Sequence, residues 1–374
     1  MKCIDEIPAG ELKGKRVLLR LDINLPIGDD GEASDVFRIE QAWKTISYLV
    51  DHSARIIVVS HFGREGDSIE PVARAMKKFG PTVFIPDITG VVAQDAVKAI
   101  QDGEIALLEN VRRDAREAEN DERFAKELAL LADIYVDDAF AAAHRAHASI
   151  VGVPKFLPSY AGFLVRDEVK AIDAARAPEH PSFAILGGAK FETKAPLIKV
   201  LLEKYDYVFV TGALANDVFK ARGLPVGRSL ISKELPDASI LNHPHFLAPI
   251  DVTVERSSGQ ASVKKPEEVG VDDKIVDIGP ETVAMLAPYI TSAKFILWSG
   301  PTGMYENGYI HYTQGIAELV SQSTGKKVIG GGDTIAAIEA TGVAKENLGF
   351  LSTDGGAMLE YLLKGTLPGI AALQ

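Results

Sequence analysis

The sequence is poor in cysteine and has no long apolar run, and both absences exclude classes of protein. Cys3 is the only cysteine, so neither an intrachain disulfide nor a cysteine-based zinc site can form. No segment reaches the roughly 18 consecutive apolar residues that a membrane-spanning helix needs. Residues 1–16 lack the apolar core of a signal peptide. These features predict a soluble, cytoplasmic protein.

Positive charge is also scarce. The chain has 40 lysine and arginine residues against 52 aspartate and glutamate residues, which gives a formal net charge of -12. Proteins that bind nucleic acid or anionic membranes generally present a basic surface, so we expect neither partner. A small anionic ligand would have to be bound by a local cluster of basic residues.

Two common nucleotide-binding motifs are missing. No G-x-x-x-x-G-K-[ST] segment occurs, which excludes a P-loop enzyme. No G-x-G-x-x-G segment follows the first strand of either half, which disfavours a dinucleotide-dependent dehydrogenase.

What the sequence does have is a repeated pattern of a short apolar run, a polar or glycine-rich break and a helical periodicity. The eleven runs are 16–26, 55–64, 82–86, 104–112, 134–140, 183–190, 207–214, 250–255, 295–303, 327–334 and 348–356. Such runs suit strands buried on both faces, and their alternation with helices predicts parallel α/β sheets with right-handed crossovers. Eleven strands are too many for one such sheet, so we predict two α/β domains.

Three segments carry a clear helical period. Apolar residues recur at helical spacing in 38–50 and in 121–131. A longer pattern lies within 150–182, between Pro158 and Pro178. Because it falls between the two groups of strands, we predict that it forms a hinge helix joining the domains.

Polar residues follow the runs of the first half, where an open parallel sheet binds its ligands. They are Asp22, Asn24, His61, Arg64, Asn110, Arg112, His144, Arg145 and His147. Arginine's planar fork matches the oxygens of a phosphate or carboxylate. Arg38, Arg64, Arg112 and Arg145 could therefore surround a small, multiply charged anion, with Asp22 and Asn24 bonding a substrate hydroxyl. The alternative is that these arginines form unrelated surface ion pairs.

His144 and His147 have a spacing at which a metal pair is conceivable. A cation there would be repelled by Arg145, and no cysteine or obvious third ligand is near. We therefore favour histidines that are satisfied by the protein or face the substrate.

The runs of the second half end in glycines. GGAKFETK (187–194) and GGGDT (330–334) would let the backbone approach phosphate oxygens and donate N–H groups. Lys190 and Lys194 are four residues apart, which predicts that both face one site from the helix after the glycines. Asp333 suits Mg²⁺ held by one carboxylate and nucleotide phosphates, and Glu306 suits a ribose hydroxyl.

Taken together, these segments resemble the phosphoglycerate kinase family over nearly the whole length of the chain. In the first half the resemblance rests on RLDINLP, SHFGR, LLENVR and DAFAAAHRAHAS. In the second half it rests on GGAKFETK, DIGPET, GPTGMYE, GGGDT and STDGGAMLE. Nine segments in the right order make coincidence remote.

The resemblance implies an α/β fold of two Rossmann-like, doubly wound parallel-sheet domains around a cleft. We expect an N-terminal 3-phosphoglycerate domain at 1–160, a nucleotide domain at 161–355, and a segment at 356–374 that returns to the first domain. The resemblance also favours a monomer.

The activity that the resemblance implies is the reversible transfer of a phosphoryl group from 1,3-bisphosphoglycerate to Mg·ADP, giving 3-phosphoglycerate and ATP. We expect direct in-line transfer when the domains close. Two alternatives stay open, namely a kinase acting on another small carboxylate or acyl phosphate and a non-catalytic nucleotide-binding relative.

The resemblance also assigns residues by position. The 3-phosphoglycerate site would comprise Asp22, Asn24, Arg38, His61, Arg64, Arg112 and Arg145. The nucleotide site would comprise Lys190, Lys194, Glu306, Gly330, Gly331, Gly332, Asp333 and Thr334, with Asp333 towards Mg²⁺. Charge on the moving phosphoryl group would be stabilised by Arg38, Lys190, Lys194 and the backbone N–H groups near Gly355 and Gly356.

Four departures from the family pattern remain. Asp354 stands where the family has a glycine, VTGALAND (210–217) replaces a glycine-rich segment, and Ser299 replaces an asparagine. The fourth departure comprises the pairs at 113–114 and 141–142. None removes a residue assigned to the chemistry, but Asp354 would repel an incoming phosphate if its carboxylate faced it.

Overall fold

Two six-stranded parallel sheets form the frame of the chain, one in each of two units. The structure is a computed structural model that describes residues 1–8, 10–33, 36–64 and 66–374. The first unit comprises Met1–Lys170 and Thr366–Gln374, and the second comprises Ala171–Gly365. The expected α/β class is therefore confirmed.

The sheet of the first unit has the strand order β3-β4-β2-β1-β5-β6. Its strands are β1 (Arg16–Leu21), β2 (Arg55–Val59), β3 (Thr82–Ile85), β4 (Ile105–Leu108), β5 (Ile134–Asp138) and β6 (Ser159–Ala161). Its helices are α1 (Phe37–Asp51), α2 (Glu70–Met76), α3 (Val91–Ala99) and α4 (Glu122–Ala129). The central strands are buried almost throughout because helices cover parallel sheets on both faces, which is why they read as apolar runs.

Helix α5 (Phe163–Arg176) begins in the first unit and ends in the second. The further helices are α6 (Phe191–Lys204), α7 (Ala213–Ala221), α8 (Ala238–Leu241), α9 (Pro280–Ser292), α10 (His311–Gln322), α11 (Gly332–Thr341), α12 (Gly355–Lys364) and α13 (Pro368–Ala372). Among the described residues, no helix is both long and apolar enough to cross a bilayer.

The second unit contains nine strands in two sheets. They are β7 (Ser182–Leu186), β8 (Tyr207–Val210), β9 (Phe246–Leu247), β10 (Val252–Arg256), β11 (Ala261–Lys264), β12 (Asp273–Ile278), β13 (Phe295–Ser299), β14 (Lys326–Gly330) and β15 (Phe350–Ser352). The parallel sheet has the order β15-β14-β13-β7-β8-β9. β13 and β7 lie at its centre, so the turns that follow them meet at one edge.

One apolar run does not belong to a parallel sheet. The run 250–255 forms β10, which pairs antiparallel with β11 and β12 in a separate three-stranded sheet. The connection 257–260 between β10 and β11 is too short for a parallel crossover, which needs a dozen or more residues. The sequence analysis did not predict the antiparallel sheet, because β11 and β12 carry polar residues and do not form apolar runs.

The units divide at 170/171 and 365/366, about ten residues beyond the expected boundaries at 160 and 355. At the second division, α12 stays with the second unit because it packs on α6, and Tyr361 Oη donates to Asp173 Oδ1 over 3.1 Å. Only the last residues return to the first unit, where Gly369 N donates to Ala143 O over 2.9 Å.

A buried carboxylate holds the start of α5. Asp138, at the end of β5, accepts the N–H of Val165 over 3.1 Å, and Thr45 Oγ1 accepts the N–H of Phe163 over 3.0 Å. Burial raises the pKa of Asp138 to about 7, although the bonds from Thr45 and the backbone oppose the rise. The first turn of α5 is thus tied to the first unit by a carboxyl that is protonated over much of the acidic range.

Asp138→Asn should flatten the pH dependence of stability between about pH 4 and pH 7. The raised pKa means that Asp138 contributes stability below its unfolded pKa of about 4 and loses it as the pH rises through about 7. Asparagine keeps the acceptor for Val165 but cannot ionise. As the pH rises across this window, the free energy of unfolding of the variant should therefore increase relative to that of the parent, by up to about 1.4 kcal/mol per pH unit.

Urea unfolding at a series of pH values would measure this gain. The matched control is Asp133→Asn, because the hydrogen bond from Arg16 lowers the pKa of Asp133 and confines its titration to more acidic pH. The difference in free energy of unfolding between Asp133→Asn and the parent should stay constant between pH 5 and pH 8. Parallel curves for Asp138→Asn and the parent would contradict the assignment.

Candidate functional site

Asp22, Arg38 and His61 form a charged cluster beyond the carboxyl ends of β1 and β2. Arg38 is the second residue of α1, and its Nη1 lies 2.5 Å from Asp22 Oδ2. His61 Nδ1 lies 4.0 Å from Asp22 Oδ1. Burial alone would raise the pKa of Asp22, but the charges of Arg38 and Arg20 and the neighbouring His61 lower it overall. Asp22 is therefore a carboxylate at neutral pH.

His61 is uncharged at neutral pH. Burial and the adjacent Arg20 guanidinium lower the pKa of His61 to about 4, although the carboxylate of Asp22 works in the opposite direction. Arg145 and Arg38 add to the lowering. The cluster thus contains a neutral imidazole among arginines.

Asn24 connects this cluster to the turn after β2. Its Oδ1 accepts the N–H of Gly63 over 2.9 Å, and its own N–H donates to Asp22 Oδ1 over 3.3 Å. Asp67 Oδ2 accepts the N–H of Arg64 over 2.7 Å on the far side of the turn. The turn that carries Arg64 is thus fixed at both ends.

A cavity of about 420 Å³ adjoins the cluster at Gly63. Its lining residues are Gly63, Arg64, Arg112, Asp114, Ala115, Ala118, Arg145 and His147. Three of the four arginines expected around an anion line this cavity, and Arg38 lies in the neighbouring cluster with Asp22. All seven residues assigned to the acid site therefore belong to one region of the first unit.

The sequence reasoning gave no role to Asp114, which lines the cavity. Hydrogen bonds from Arg116 lower its pKa, and Arg116 Nη2 lies 2.7 Å from Asp114 Oδ2. The feature of the sequence that could have indicated Asp114 is the departure from the family pattern at 113–114. Among the described residues, no group of three or more histidine, cysteine, aspartate or glutamate side chains could hold a metal ion.

The second unit has a cavity of about 440 Å³ beside the ends of β7 and β8. Gly188, Gly212 and Ala213 line one side, and Glu306 and Asp333 also line it. The apolar part of the wall comprises Leu230, Pro249, Val252, Val276, Ile278 and Met304. A flat, apolar ring system suits such a wall, with polar groups at the edge.

Glycine is required where the turns after β7 and β8 pass each other. Gly212 has a φ of +63°, and a Cβ there would lie 3.1 Å from Gly188 N. Lys194 passes the same place, because a Cβ on Gly188 would lie 3.3 Å from Lys194 Cε. Burial lowers the pKa of Lys194.

Lys190 does not lie on the helix, contrary to the expectation that it shares a helical face with Lys194. It has a left-handed φ of +64° and immediately precedes α6, which begins at Phe191. The described residues that line the cavity include Gly188 and Ala189 but neither lysine. The tight turn of the glycines delays the helix by one residue.

The GGGDT segment joins the end of β14 to the start of α11. Gly330 ends the strand, Gly332 begins the helix and Asp333 is its exposed second residue, to which Tyr305 Oη donates over 3.3 Å. Thr334 is fully buried, and its Oγ1 accepts the N–H of Gly300 over 2.7 Å. The hydroxyl of Thr334 therefore holds a turn together instead of facing the cavity.

The start of α12 adjoins this loop. A Cβ on Gly355 would lie 2.5 Å from the Cα of Gly331, so the two backbones touch. Asp354 caps α12, and its Oδ1 accepts the N–H of Ala357 over 2.7 Å. Gly355 and Gly356 are the first two residues of this helix, so their N–H groups lie next to the GGGDT loop.

The sequence also matches the model of a known protein family. The family model described as Phosphoglycerate kinase matches residues 4–365. The chain belongs to the phosphoglycerate kinase family.

Curated relatives and solved structures agree with this placement. The chain is 40% identical to the phosphoglycerate kinase of the Wolbachia strain wRi, over 99% of this chain and 98% of the relative. It is 40% identical to that of Moorella thermoacetica, over 97% of both. The structure of phosphoglycerate kinase from Coxiella burnetii matches with a TM-score of 0.83 at 35% identity, covering 97% and 96% of the two chains. That from Pyrococcus horikoshii OT3 matches with a TM-score of 0.87 at 28% identity, covering 100% and 98%.

Asp354→Ala should lower the free energy of unfolding by about 1 kcal/mol, because it removes the cap from α12. Asp354→Asn keeps an oxygen acceptor for the N–H of Ala357 and should stay within about 0.5 kcal/mol of the parent. Chemical denaturation of the three proteins at one pH would measure the difference. Equal loss in both variants would show that the charge of Asp354, and not its hydrogen bond, stabilises the helix.

Proposed function

We propose that this enzyme transfers a phosphoryl group reversibly between 1,3-bisphosphoglycerate and ADP, giving 3-phosphoglycerate and ATP, a step of glycolysis and gluconeogenesis. The observation that carries the proposal is the family match over residues 4–365. The arginine-lined cavity of the first unit and the glycine-edged cavity of the second support it, because they suit a small acid and a nucleotide respectively. That the enzyme acts as a monomer stays a prediction.

The first unit would bind the phosphorylated acid. Arg64, Arg112 and Arg145 would bind its phosphate and Arg38 the carboxyl end, because guanidinium groups donate paired hydrogen bonds to such oxygens. Asp22 and Asn24 would bind the hydroxyl group, and His61 would donate a hydrogen bond without adding charge. The net charge of -12 makes this local concentration of arginine necessary for binding an anion.

The second unit would bind the nucleotide. Its apolar wall suits the base, Glu306 suits a ribose hydroxyl, and the start of α11 suits the phosphates, because helix N-termini bind anions. We assign phosphate contacts to Lys190, Lys194 and the backbone of residues 330–334. Thr334 would contribute its backbone only, since its hydroxyl bonds Gly300 and Gly330.

Asp333 fits a magnesium ion that is bound together with the nucleotide. It is exposed at the start of α11, and one of its oxygens accepts a weak bond from Tyr305 Oη. Mg²⁺ is commonly held by one or two carboxylates plus phosphate oxygens. When bound, it would neutralise part of the phosphate charge.

We infer direct in-line transfer, in which the protein positions the reactants and stabilises charge. Arg38, Lys190 and Lys194 would stabilise the moving phosphoryl group, together with the N–H groups of Gly355 and Gly356. Because acid and nucleotide are assigned to different units, transfer requires a closed conformation that aligns them and excludes water. Asp354 places a carboxylate at the start of α12, which would weaken phosphate binding compared with a glycine.

A coupled assay with Mg·ATP tests the function. ADP formation should be fast with 3-phosphoglycerate and at least 100-fold slower with glycerate or acetate at equal concentration, because the cavity arginines require a phosphate. Equal rates with glycerate would favour a kinase acting on another small carboxylate. Binding of both ligands without ADP formation would favour a non-catalytic relative.

Arg38→Ala should reduce kcat by at least 100-fold while the Kd for Mg·ADP changes less than twofold. The guanidinium is assigned to the transferring group, whereas nucleotide binding is assigned to the other unit. Steady-state kinetics and calorimetry would measure the two quantities. A matched control is Arg55→Ala. Arg55 is paired with Asp102 and is the first residue of β2, at the end of that strand opposite to the acid site. A loss in kcat below tenfold for Arg38→Ala would contradict its role.

A further inference from the structure

Arg20 is an arginine buried inside the sheet, directly behind the acid site. It lies in β1 and is only 1% exposed. Its Nε donates to Ser149 Oγ over 2.9 Å, its Nη1 donates to Leu21 O, and its Nη2 lies 3.4 Å from His61 Nδ1. The sequence reasoning gave Arg20 no role, because it lies within an apolar run and not after it.

Glu117 holds the other end of this contact chain. Its Oε2 accepts the N–H of Ser149 over 2.8 Å, and its Oε1 accepts the Ser149 hydroxyl over 2.6 Å. Glu117 and Ser149 are both fully buried. The Ser149 hydroxyl therefore donates to Glu117 and accepts from Arg20, which joins a buried carboxyl group to a buried guanidinium through one oxygen. Burial raises the pKa of Glu117, and the charge of Arg20 opposes that rise.

This buried pairing determines the orientation of Arg20. A buried charge without a partner is strongly destabilising, so the guanidinium is held where Ser149 and Leu21 accept its hydrogen bonds. The fork of the guanidinium is planar and rigid. Fixing Nε and Nη1 therefore fixes the direction in which Nη2 points, which is towards the ring of His61.

The contact with Arg20 decides which nitrogen of His61 carries the proton. A guanidinium can only donate hydrogen bonds, so His61 Nδ1 must accept. A neutral imidazole has one acceptor and one donor nitrogen, so the proton lies on Nε2. The carboxylate of Asp22 does not reverse this choice, because its Oδ1 lies 4.0 Å from Nδ1 and beyond hydrogen-bond distance.

We propose that Glu117, Ser149 and Arg20 are positioning residues for the reaction, and that they hold His61 as the Nε2–H tautomer so that it donates a hydrogen bond to the bound acid. This inference rests on the proposed function, because the acid is the ligand that His61 meets. The three residues do not touch the substrate themselves. They act through the ring of His61.

The charged groups around His61 favour the same neutral form. Arg20 on β1, Arg38 on α1 and Arg145 after β5 disfavour a charged ring, whereas Asp22 favours one. Burial adds to the effect of the arginines and lowers the pKa of His61 to about 4. His61 should thus donate through Nε2 across the whole range from pH 5.5 to pH 8.

The tautomer can be measured in the unmodified enzyme without any assay of activity. Long-range ¹H–¹⁵N correlation spectra distinguish Nε2–H, Nδ1–H and doubly protonated histidine rings. The chain has eight histidines, so His61→Gln would identify the signal by its disappearance. We expect His61 to be at least 90% Nε2–H at pH 7.5. A predominant Nδ1–H form, or a charged ring, would overturn the proposal even if the enzyme is active.

Ser149→Ala tests the positioning chain, because it removes the oxygen that joins Glu117 to Arg20 and changes little else. The KM for 3-phosphoglycerate should rise at least fivefold, the KM for Mg·ATP should stay within twofold, and the Nδ1–H fraction of His61 should increase. Ser149→Thr keeps the hydroxyl and should restore both values. An unchanged KM and tautomer in folded Ser149→Ala would overturn the role of the chain.

Arg16→Gln is the matched control, since it removes an arginine from the other end of the same strand. Arg16 pairs with Asp133 over 2.7 Å. It is the first residue of β1, whereas the acid site lies beyond the last residue of that strand. Its KM for 3-phosphoglycerate should stay within twofold of the parent. An equal rise in Arg16→Gln and Ser149→Ala would show a general loosening of β1 and would contradict specific positioning.

Discussion

Buried positive charge at the carboxyl end of β1 is the constraint on which the first unit depends. An acidic chain that binds an acid must concentrate arginines, and each buried arginine then needs an acceptor. Ser149 with Glu117 meets this need for the buried Arg20, and Asp22 pairs with the partly exposed Arg38. Neither Asp22 nor Glu117 lines the cavity, and Asp114, which does, is paired with Arg116, so Arg64, Arg112 and Arg145 keep the lining positive.

The second unit meets the opposite requirement with backbone groups. Its cavity presents glycine turns, an apolar wall and helix starts, and the half-buried Lys194 lies beside Gly188 without lining the cavity. Two helix starts adjoin at Gly331 and Gly355. Backbone N–H groups carry no net charge, so the proposed nucleotide would leave no unbalanced charge behind when it is released after each turnover.

The sequence predicted much of the fold because most of the strands are buried on both faces. The helices expected at 38–50 and 121–131 are α1 and α4, and the pattern between Pro158 and Pro178 is α5. The antiparallel sheet was missed because β11 is half exposed and both β11 and β12 carry polar residues. Asp22, Arg64 and Arg112 could be predicted because they follow the ends of strands. Arg20 was missed because it lies inside an apolar run, and the sequence pattern selects only the polar residues that follow such a run. Ser149 and Glu117 could not be paired from sequence, because 32 positions separate them and only the fold brings them together.

Asp354 shows how one helix start can serve stability and still leave room for a ligand. The first three N–H groups of α12 belong to Gly355, Gly356 and Ala357, and the Asp354 carboxylate accepts the one from Ala357. A glycine at this position would leave all three N–H groups to the phosphate but would give up the cap. The helix α11 begins with Gly331 before it and, among the described residues, no side-chain cap. Of the two adjoining helix starts, α11 therefore has the more open N-terminus, and in the proposed function α12 would contribute its first two N–H groups beside a carboxylate that opposes the phosphate charge.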